Sequence, residues 1–264
     1  MEYKIIAMDF DGTLLTTKKM VTKRTKETII KYKKDGYIII GITARNLSSV
    51  KRVCPNLSMF NYLILNNGCY LYNVIEEKGR YIEGLNEHYI EKITKHFYNI
   101  AKEIDYISTE KYYIYRPEGQ IDFRDFVIPI NSFNEVNDFV SRVNIFANTN
   151  NEVIEYKNYI DNNFKELDSI ITQDTDNGKD KKWIAINPKG RNKFTTLKEL
   201  CNELNINTNE AIFFGDSSND IEIIENVGLG VAMGNALQEV KDKAKEITLK
   251  NDEDGIAVFL EKKL

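Results

Sequence analysis

Cysteine and histidine are scarce in this chain, with three cysteines and two histidines among 264 residues. Cys54, Cys69 and Cys201 are scattered, odd in number and without metal-type spacing. That excludes a disulfide framework and a cysteine-based zinc site, and it points to a reducing compartment. His88 and His96 stand too far apart to form a one-face helical metal pair. No apolar stretch approaches the ~20 residues of a membrane span. The apolar run at residues 5–8 is too brief for a signal-peptide core, and no small-residue cleavage site follows it. Low-complexity tracts and short internal repeats are absent. A basic excess is also missing: the net charge is −4, which argues against broad binding to nucleic acid. The lysine clusters at 18–19, 31–34 and 179–182 are short and mixed with acidic or polar residues, so they read as solvated faces or loops. These absences predict a cytoplasmic protein with neither a nucleic-acid nor a membrane partner, and they leave its oligomeric state open.

What is present is enough apolar material for a substantial core, 42% hydrophobic against 29% charged residues. The first part alternates strand and helix signals. Residues 5–10, 37–42 and 62–65 read as buried strands, 22–34 and 46–53 as helices, and Asn66-Asn67-Gly68 as a turn. The C-terminal part resumes the pattern, with helices at 194–204, 219–225, 236–244 and 255–262 and strands at 211–214, 229–233 and 246–249. Such alternation predicts an α/β fold, a Rossmann-like parallel sheet with helices on both faces. The middle lacks it. Helical stretches near 87–104 and 133–143 are interleaved with strand-like runs at 112–115, 120–126 and 183–186. We expect an inserted α+β cap at 84–183 and a core domain from 1–83 with 184–264.

The strongest local signal is Asp9-Phe10-Asp11-Gly12-Thr13-Leu14-Leu15 at the end of the first strand. Carboxyl ends of parallel strands face the crevice where open α/β sheets bind ligands. Asp9, held ionised by a metal, could attack phosphorus. Asp11 could protonate the departing oxygen and then deprotonate a water. Gly12 permits a tight turn and a close approach of backbone amides. Taken singly, an aspartate at a strand end is more often a turn former or cap; the full heptapeptide outweighs that reading.

A second cluster, Gly215-Asp216-Ser217-Ser218-Asn219-Asp220, again follows an apolar strand and opens a helix. Capping explains one such residue, not the whole cluster. Asp216 could supply an oxygen to a hard cation such as Mg²⁺; Asp220 could be a further ligand or orient other groups instead. Thr43 and the Ala44 amide, at the end of the second strand, could hold a phosphate by hydrogen bonds. A phosphoryl site also needs a balancing cation. Lys189, Arg191 and Lys193 compete for that role, and Lys193, which begins the helix leading back into the sheet, is preferred.

These signals, in this order, closely resemble the haloacid dehalogenase superfamily, and within it the Cof-type phosphatases with the second class of cap. Asn66-Asn67-Gly68, Gly230-Val231-Ala232-Met233-Gly234-Asn235-Ala236 and Asn251-Asp252-Glu253-Asp254-Gly255-Ile256-Ala257 are similar to further stretches of that subgroup. The resemblance covers nearly the whole chain. It implies Asp9 as nucleophile and Asp11 as acid/base. It also implies Mg²⁺ bound by Asp9, the Asp11 carbonyl and Asp216, and the phosphoryl group held by Thr43, Lys193 and Asn219. Ala44 stands where the subgroup usually has glycine, and Phe194 where a small residue commonly follows the lysine.

The implied activity is hydrolysis of a small phosphorylated metabolite, a sugar phosphate first. The rivals are a phosphomutase of the same superfamily and a non-catalytic phosphate-binding relative. Arg116 and Arg124 do not resemble the mutase signature, and intact Asp9 and Asp11 argue against the second. Tyr112, Tyr113, Tyr115, Arg116 and Arg124 are candidates for reading the leaving group, although for any single tyrosine packing within the cap is the commoner use.

Overall fold

The computed structural model describes residues 3–117, 126–176 and 179–263. The first third contains β1 (Ile5–Asp9), α1 (Lys23–Lys34), β2 (Ile38–Ile42), α2 (Leu47–Val53), β3 (Tyr62–Leu65), β4 (Tyr70–Asn73) and β5 (Lys78–Tyr81). The middle contains α3 (Glu87–Phe97), β6 (Glu103–Ile107), β7 (Tyr112–Tyr115), β8 (Val127–Ile130), β9 (Arg142–Phe146), α4 (Asn150–Asn163), β10 (Leu167–Asp176) and β11 (Lys179–Pro188). The last third contains α5 (Lys193–Glu203), β12 (Ala211–Gly215), α6 (Ile221–Asn226), β13 (Leu229–Ala232), α7 (Gln238–Lys243), β14 (Glu246–Ile247) and α8 (Gly255–Lys263).

Two compact units result, residues 1–82 with 192–264 and residues 83–191. In the first, eight strands run in the order β14-β13-β12-β1-β2-β3-β4-β5. From β14 to β3 the pairing is parallel, while β4 and β5 add an antiparallel edge that apolar periodicity did not reveal. The central strand β1 is buried along its whole length, as its unbroken apolar run requires. The chain steps from β1 to β2 in one direction and from β12 to β13 in the other. Right-handed crossovers therefore place α1 and α6 on opposite faces. Packing of α8 against α1, and of α5 and α7 against α6, completes the two layers.

The second unit is a six-stranded sheet, order β10-β11-β9-β6-β7-β8, with its own apolar core. Ile90, Ile93 and Phe97 of α3 and Val153, Tyr156 and Ile160 of α4 pack against Ile104, Tyr106, Val143 and Ile145 of the strands.

Three expectations are corrected here, and one helix is added. The boundary expected at 183/184 moves to 191/192, because β11 pairs with β10 along its length, as far as Pro188 with Leu167. The helix expected over 133–143 is a single turn, Phe133–Glu135, capped by Ser132 and Glu135, after which Val143 and Ile145 alternate as strand residues. The helix expected over 87–104 ends at Phe97, and residues from Glu103 onward enter a strand. Helix α4 was not anticipated, although Thr149 and Glu152 form a capping box and Val153, Tyr156 and Ile160 recur at helical spacing. Most of the strand expected over 120–126, and Arg124 with it, lies outside the described residues.

Candidate active site

Strand order brings the separated motifs together. β1 pairs with β12 on one side, Met8 opposite Phe214, and with β2 on the other, Asp9 opposite Ile42. Their carboxyl ends therefore deliver Asp9, Asp216 and Thr43 to one edge of the sheet. Asn192 caps α5, accepting from the amides of Phe194 at 2.9 Å and Thr195 at 3.0 Å, which makes Lys193 the first helical residue. Its side chain is almost wholly buried.

The Lys193 ammonium donates to Asp9 Oδ1 and Asp220 Oδ1, each at 2.7 Å, and to Asn219 Oδ1 at 3.3 Å. The other Asp220 oxygen accepts from the amides of Asp216 at 3.0 Å and Ser217 at 3.2 Å. Asp220 thus holds both the lysine and the turn that presents Asp216. Thr13 donates from Oγ1 to Asp216 Oδ1 at 2.7 Å. Gly12, at φ +78°, lies so close that an added Cβ would stand 2.2 Å from Asp216 Oδ2. Asn235 closes this side, donating to the Gly12 carbonyl at 2.8 Å.

Asp11 is held from another direction. Arg45 donates to it from Nε at 2.6 Å and Nη2 at 2.8 Å, and Lys19 donates from Nζ at 2.7 Å. Arg45 also donates from Nη1 to Ser49 Oγ at 2.7 Å, and from its backbone amide to the buried Thr43 hydroxyl at 3.1 Å.

Burial pushes the Asp9 carboxyl up to about 8, against the opposing pull of Lys193, with Asp220 and Asp216 adding to the rise. Burial likewise raises Asp216 to about 6, against its bond from Thr13. Burial would discharge Lys193, but Asp220 and Asp9 outweigh it, so the ammonium is held above its ordinary range. At Asp11 burial would raise the carboxyl, yet Arg45 and Lys19 together hold it at about 2.

Oxygens of Asp9, Asp216 and Asp220 lie within 4.8 Å of one another. Both Asp220 oxygens are engaged by Lys193 and backbone amides, leaving Asp9 and Asp216 as the freer donors. A hard, oxygen-only donor set with more carboxylates than cations fits a divalent ion of the magnesium class.

The structure therefore gathers Asp9, Asp11, Gly12, Thr43, Lys193, Asp216, Asn219 and Asp220 at one place, with Ala44 following Thr43. Lys189 and Arg191 lie in the second unit instead, Lys189 donating to the Lys165 carbonyl at 2.6 Å and Arg191 pairing with Glu83 at 3.0 Å. Lys19 is exposed, as its short basic cluster predicts, and its ammonium still reaches Asp11. Thr13, Arg45 and Asn235 stand out in the sequence only as members of motifs. Their partners are distant in sequence, so no local signal marked their contacts. Among the leaving-group candidates, Tyr113 and Tyr115 are buried in the second unit's core, and Arg116 pairs with Glu103.

Residues 6–260 match the family model of haloacid dehalogenase-like hydrolases. The chain belongs to that family. A Bacillus subtilis relative, 5-amino-6-(5-phospho-D-ribitylamino)uracil phosphatase, is 27% identical over 269 residues, covering 97% of this chain and 96% of its own. The Escherichia coli pyridoxal phosphate phosphatase is 28% identical, with 98% of each chain covered. Among solved structures, a haloacid dehalogenase-like hydrolase from Bacteroides thetaiotaomicron superposes over 100% of both chains with a TM-score of 0.80 at 24% identity. A subclass IIB sugar phosphatase superposes with a TM-score of 0.78 at 22% identity over 98% of each chain. Family membership makes this chain a haloacid dehalogenase-like hydrolase whose relatives are named phosphatases, and its fold is that of the subclass IIB structure. No helix among the described residues is long and apolar enough to cross a membrane.

Proposed function

We propose that this chain is a magnesium-dependent phosphatase that hydrolyses small phosphomonoesters through a phosphorylated Asp9. The observation that carries the reading is the buried Lys193 ammonium shared by Asp9 and Asp220, with Asp216 beside them. Asp9, the Asp11 carbonyl and Asp216 would hold Mg²⁺, which when bound keeps Asp9 ionised and offsets charge on the phosphoryl oxygens. Asp9 attacks phosphorus in line with the leaving oxygen, forming the aspartyl phosphate. The Thr43 hydroxyl, the Ala44 amide, Lys193 and Asn219 hold the transferred group, so that its charge meets fixed donors rather than water. Asp11 gives a proton to the leaving oxygen, then takes one from the water that cleaves the intermediate. With Arg45 and Lys19 in place Asp11 is ionised, which is the form the second half-reaction needs. Its acid role requires those cations to withdraw.

The relatives' names point to phosphates of small metabolites, and a sugar phosphate is our first choice. The second unit, whose inner core is separate, is the part assigned to selecting the leaving group. The deciding assay is hydrolysis of p-nitrophenyl phosphate with Mg²⁺, with EDTA, and by Asp9→Asn, followed by a panel of phosphorylated metabolites. Magnesium-dependent turnover that vanishes in Asp9→Asn supports the reading. Turnover surviving in that variant sinks it.

A further inference from the structure

Three successive residues at the end of β3 take left-handed backbone angles: Asn66 at φ +52°, Asn67 at +53° and Gly68 at +101°. Such a run is costly for residues with a Cβ, and asparagine and glycine are the types that tolerate it. Strained backbone persists only where surrounding contacts over-determine it. Those contacts run two ways. On one side the Asn66 amide donates to the Arg45 carbonyl at 3.0 Å, and the Asn67 amide to the Thr43 carbonyl at 3.1 Å. On the other, the buried Thr196 hydroxyl, one turn into α5, donates to the Gly68 carbonyl at 2.7 Å. Gly68 also sits against the start of α5, where an added Cβ would stand 2.2 Å from the Asn192 carbonyl oxygen.

We infer that the Asn66-Asn67-Gly68 turn is a positioning device that sets the distance between Thr43 and Lys193, the two sides of the phosphoryl cradle. The inference rests on the function proposed above. These contacts run to the Thr43–Arg45 loop and to the start of α5, the two phosphate-holding sides, so the turn governs phosphate and not the metal. The right-handed or extended backbone that other residues prefer would swing both amides off the Thr43–Arg45 loop. A side chain at position 68 would displace the residue just before Lys193. Its role is carried by backbone conformation, which predicts that glycine, but not alanine, replaces Asn67.

The test compares wild type, Asn67→Ala, Asn67→Gly and Gly68→Ala by calorimetric titration with inorganic phosphate in Mg²⁺, by p-nitrophenyl phosphate kinetics, and by the Mg²⁺-induced shift in melting temperature. We expect Asn67→Ala to weaken phosphate binding and lower kcat/KM by about tenfold to a hundredfold, since a displacement of about 1 Å can cost about 10²-fold. Its Mg²⁺ shift should equal that of wild type, which a general loss of packing would not leave intact. Asn67→Gly should recover phosphate binding, and Gly68→Ala should show the larger loss. Wild-type phosphate affinity in Asn67→Ala, equal loss in Asn67→Gly, or loss of the Mg²⁺ shift in Asn67→Ala would each overturn the inference. A wild type that binds phosphate but hydrolyses nothing overturns the proposed reaction and leaves this comparison standing. A wild type that binds no phosphate overturns both.

Discussion

The ammonium nitrogen of Lys193 stands 2.7 Å from a carboxylate oxygen of Asp9, across 184 residues of sequence. Both groups are buried, and Asp220 shares the same cation at the same distance. Removing one partner from such a cluster leaves charge without compensation. Lys193→Met should destabilise the protein by ~3–5 kcal/mol and lower kcat by at least ~10²-fold. Urea unfolding and steady-state kinetics check the two effects separately. A stable, active Lys193→Met protein would remove lysine from the cradle.

Burial raises the Asp9 carboxyl to about 8 and Asp216 to about 6 from an ordinary value of 3.8. Groups raised in the folded state favour folding below the unfolded value and lose that contribution as pH rises. Metal-free protein should therefore weaken from about pH 4 upward, through about 6 for Asp216 and about 8 for Asp9. Mg²⁺ competes with those protons, so its stabilising increment should grow with pH. Melting curves with Mg²⁺ and with EDTA, across that range, test this; an increment independent of pH would contradict it.

Asp11 carries the opposite sign. Held at about 2, it contributes stability above the ordinary carboxylate range and loses it as pH falls through about 2. Arg45→Met removes two of its hydrogen bonds. The Asp11 carboxyl should then titrate at a higher pH, visible in carbon NMR of labelled aspartate. An unmoved titration would show that Lys19 alone suffices.

Gly12 has no room for a side chain, since a Cβ would stand 2.2 Å from Asp216 Oδ2. Its φ of +78° adds backbone strain for any other residue. Gly12→Ala should weaken Mg²⁺ binding and turnover together, because it displaces a proposed ligand. Magnesium titration by calorimetry is the direct readout.

Behind the Asp11 loop, Asn251 donates to the Leu15 carbonyl at 2.8 Å, and its amide donates to Asn235 Oδ1 at 2.9 Å. Asn235 in turn holds the Gly12 carbonyl. Asn251→Ala should cost ~1–3 kcal/mol by orphaning a buried acceptor. Hydrogen exchange should quicken in residues 12–20 ahead of the rest of the sheet. Uniform exchange would assign Asn251 to general packing.

Much of the core unit was legible in order. Its parallel strands are buried on both faces, so residues 5–8, 38–42 and 211–214 had to be continuous apolar runs, and continuity is readable without a fold. Asp9 and Asp216 end two of those runs, which is why they could be named from position alone. The edge pair β4 and β5 escaped because Lys78–Tyr81 is exposed and follows no apolar pattern. The second unit was read less well for a similar reason: Ser132 and Glu135 begin a helix that only one turn completes, and strand pairing then claims Arg142–Phe146.

The sequence by itself determined which side chains could do phosphoryl chemistry and that they stand at strand ends, because a short motif and an apolar run are local facts. Only the tertiary structure decided their partners. It buried Lys193 between Asp9 and Asp220, left Lys189 and Arg191 in the second unit, and set Arg45 and Lys19 on Asp11. The physical reason is that charge pairing acts through a few ångströms of space, and which residues share that space depends on strand order, not on distance along the chain.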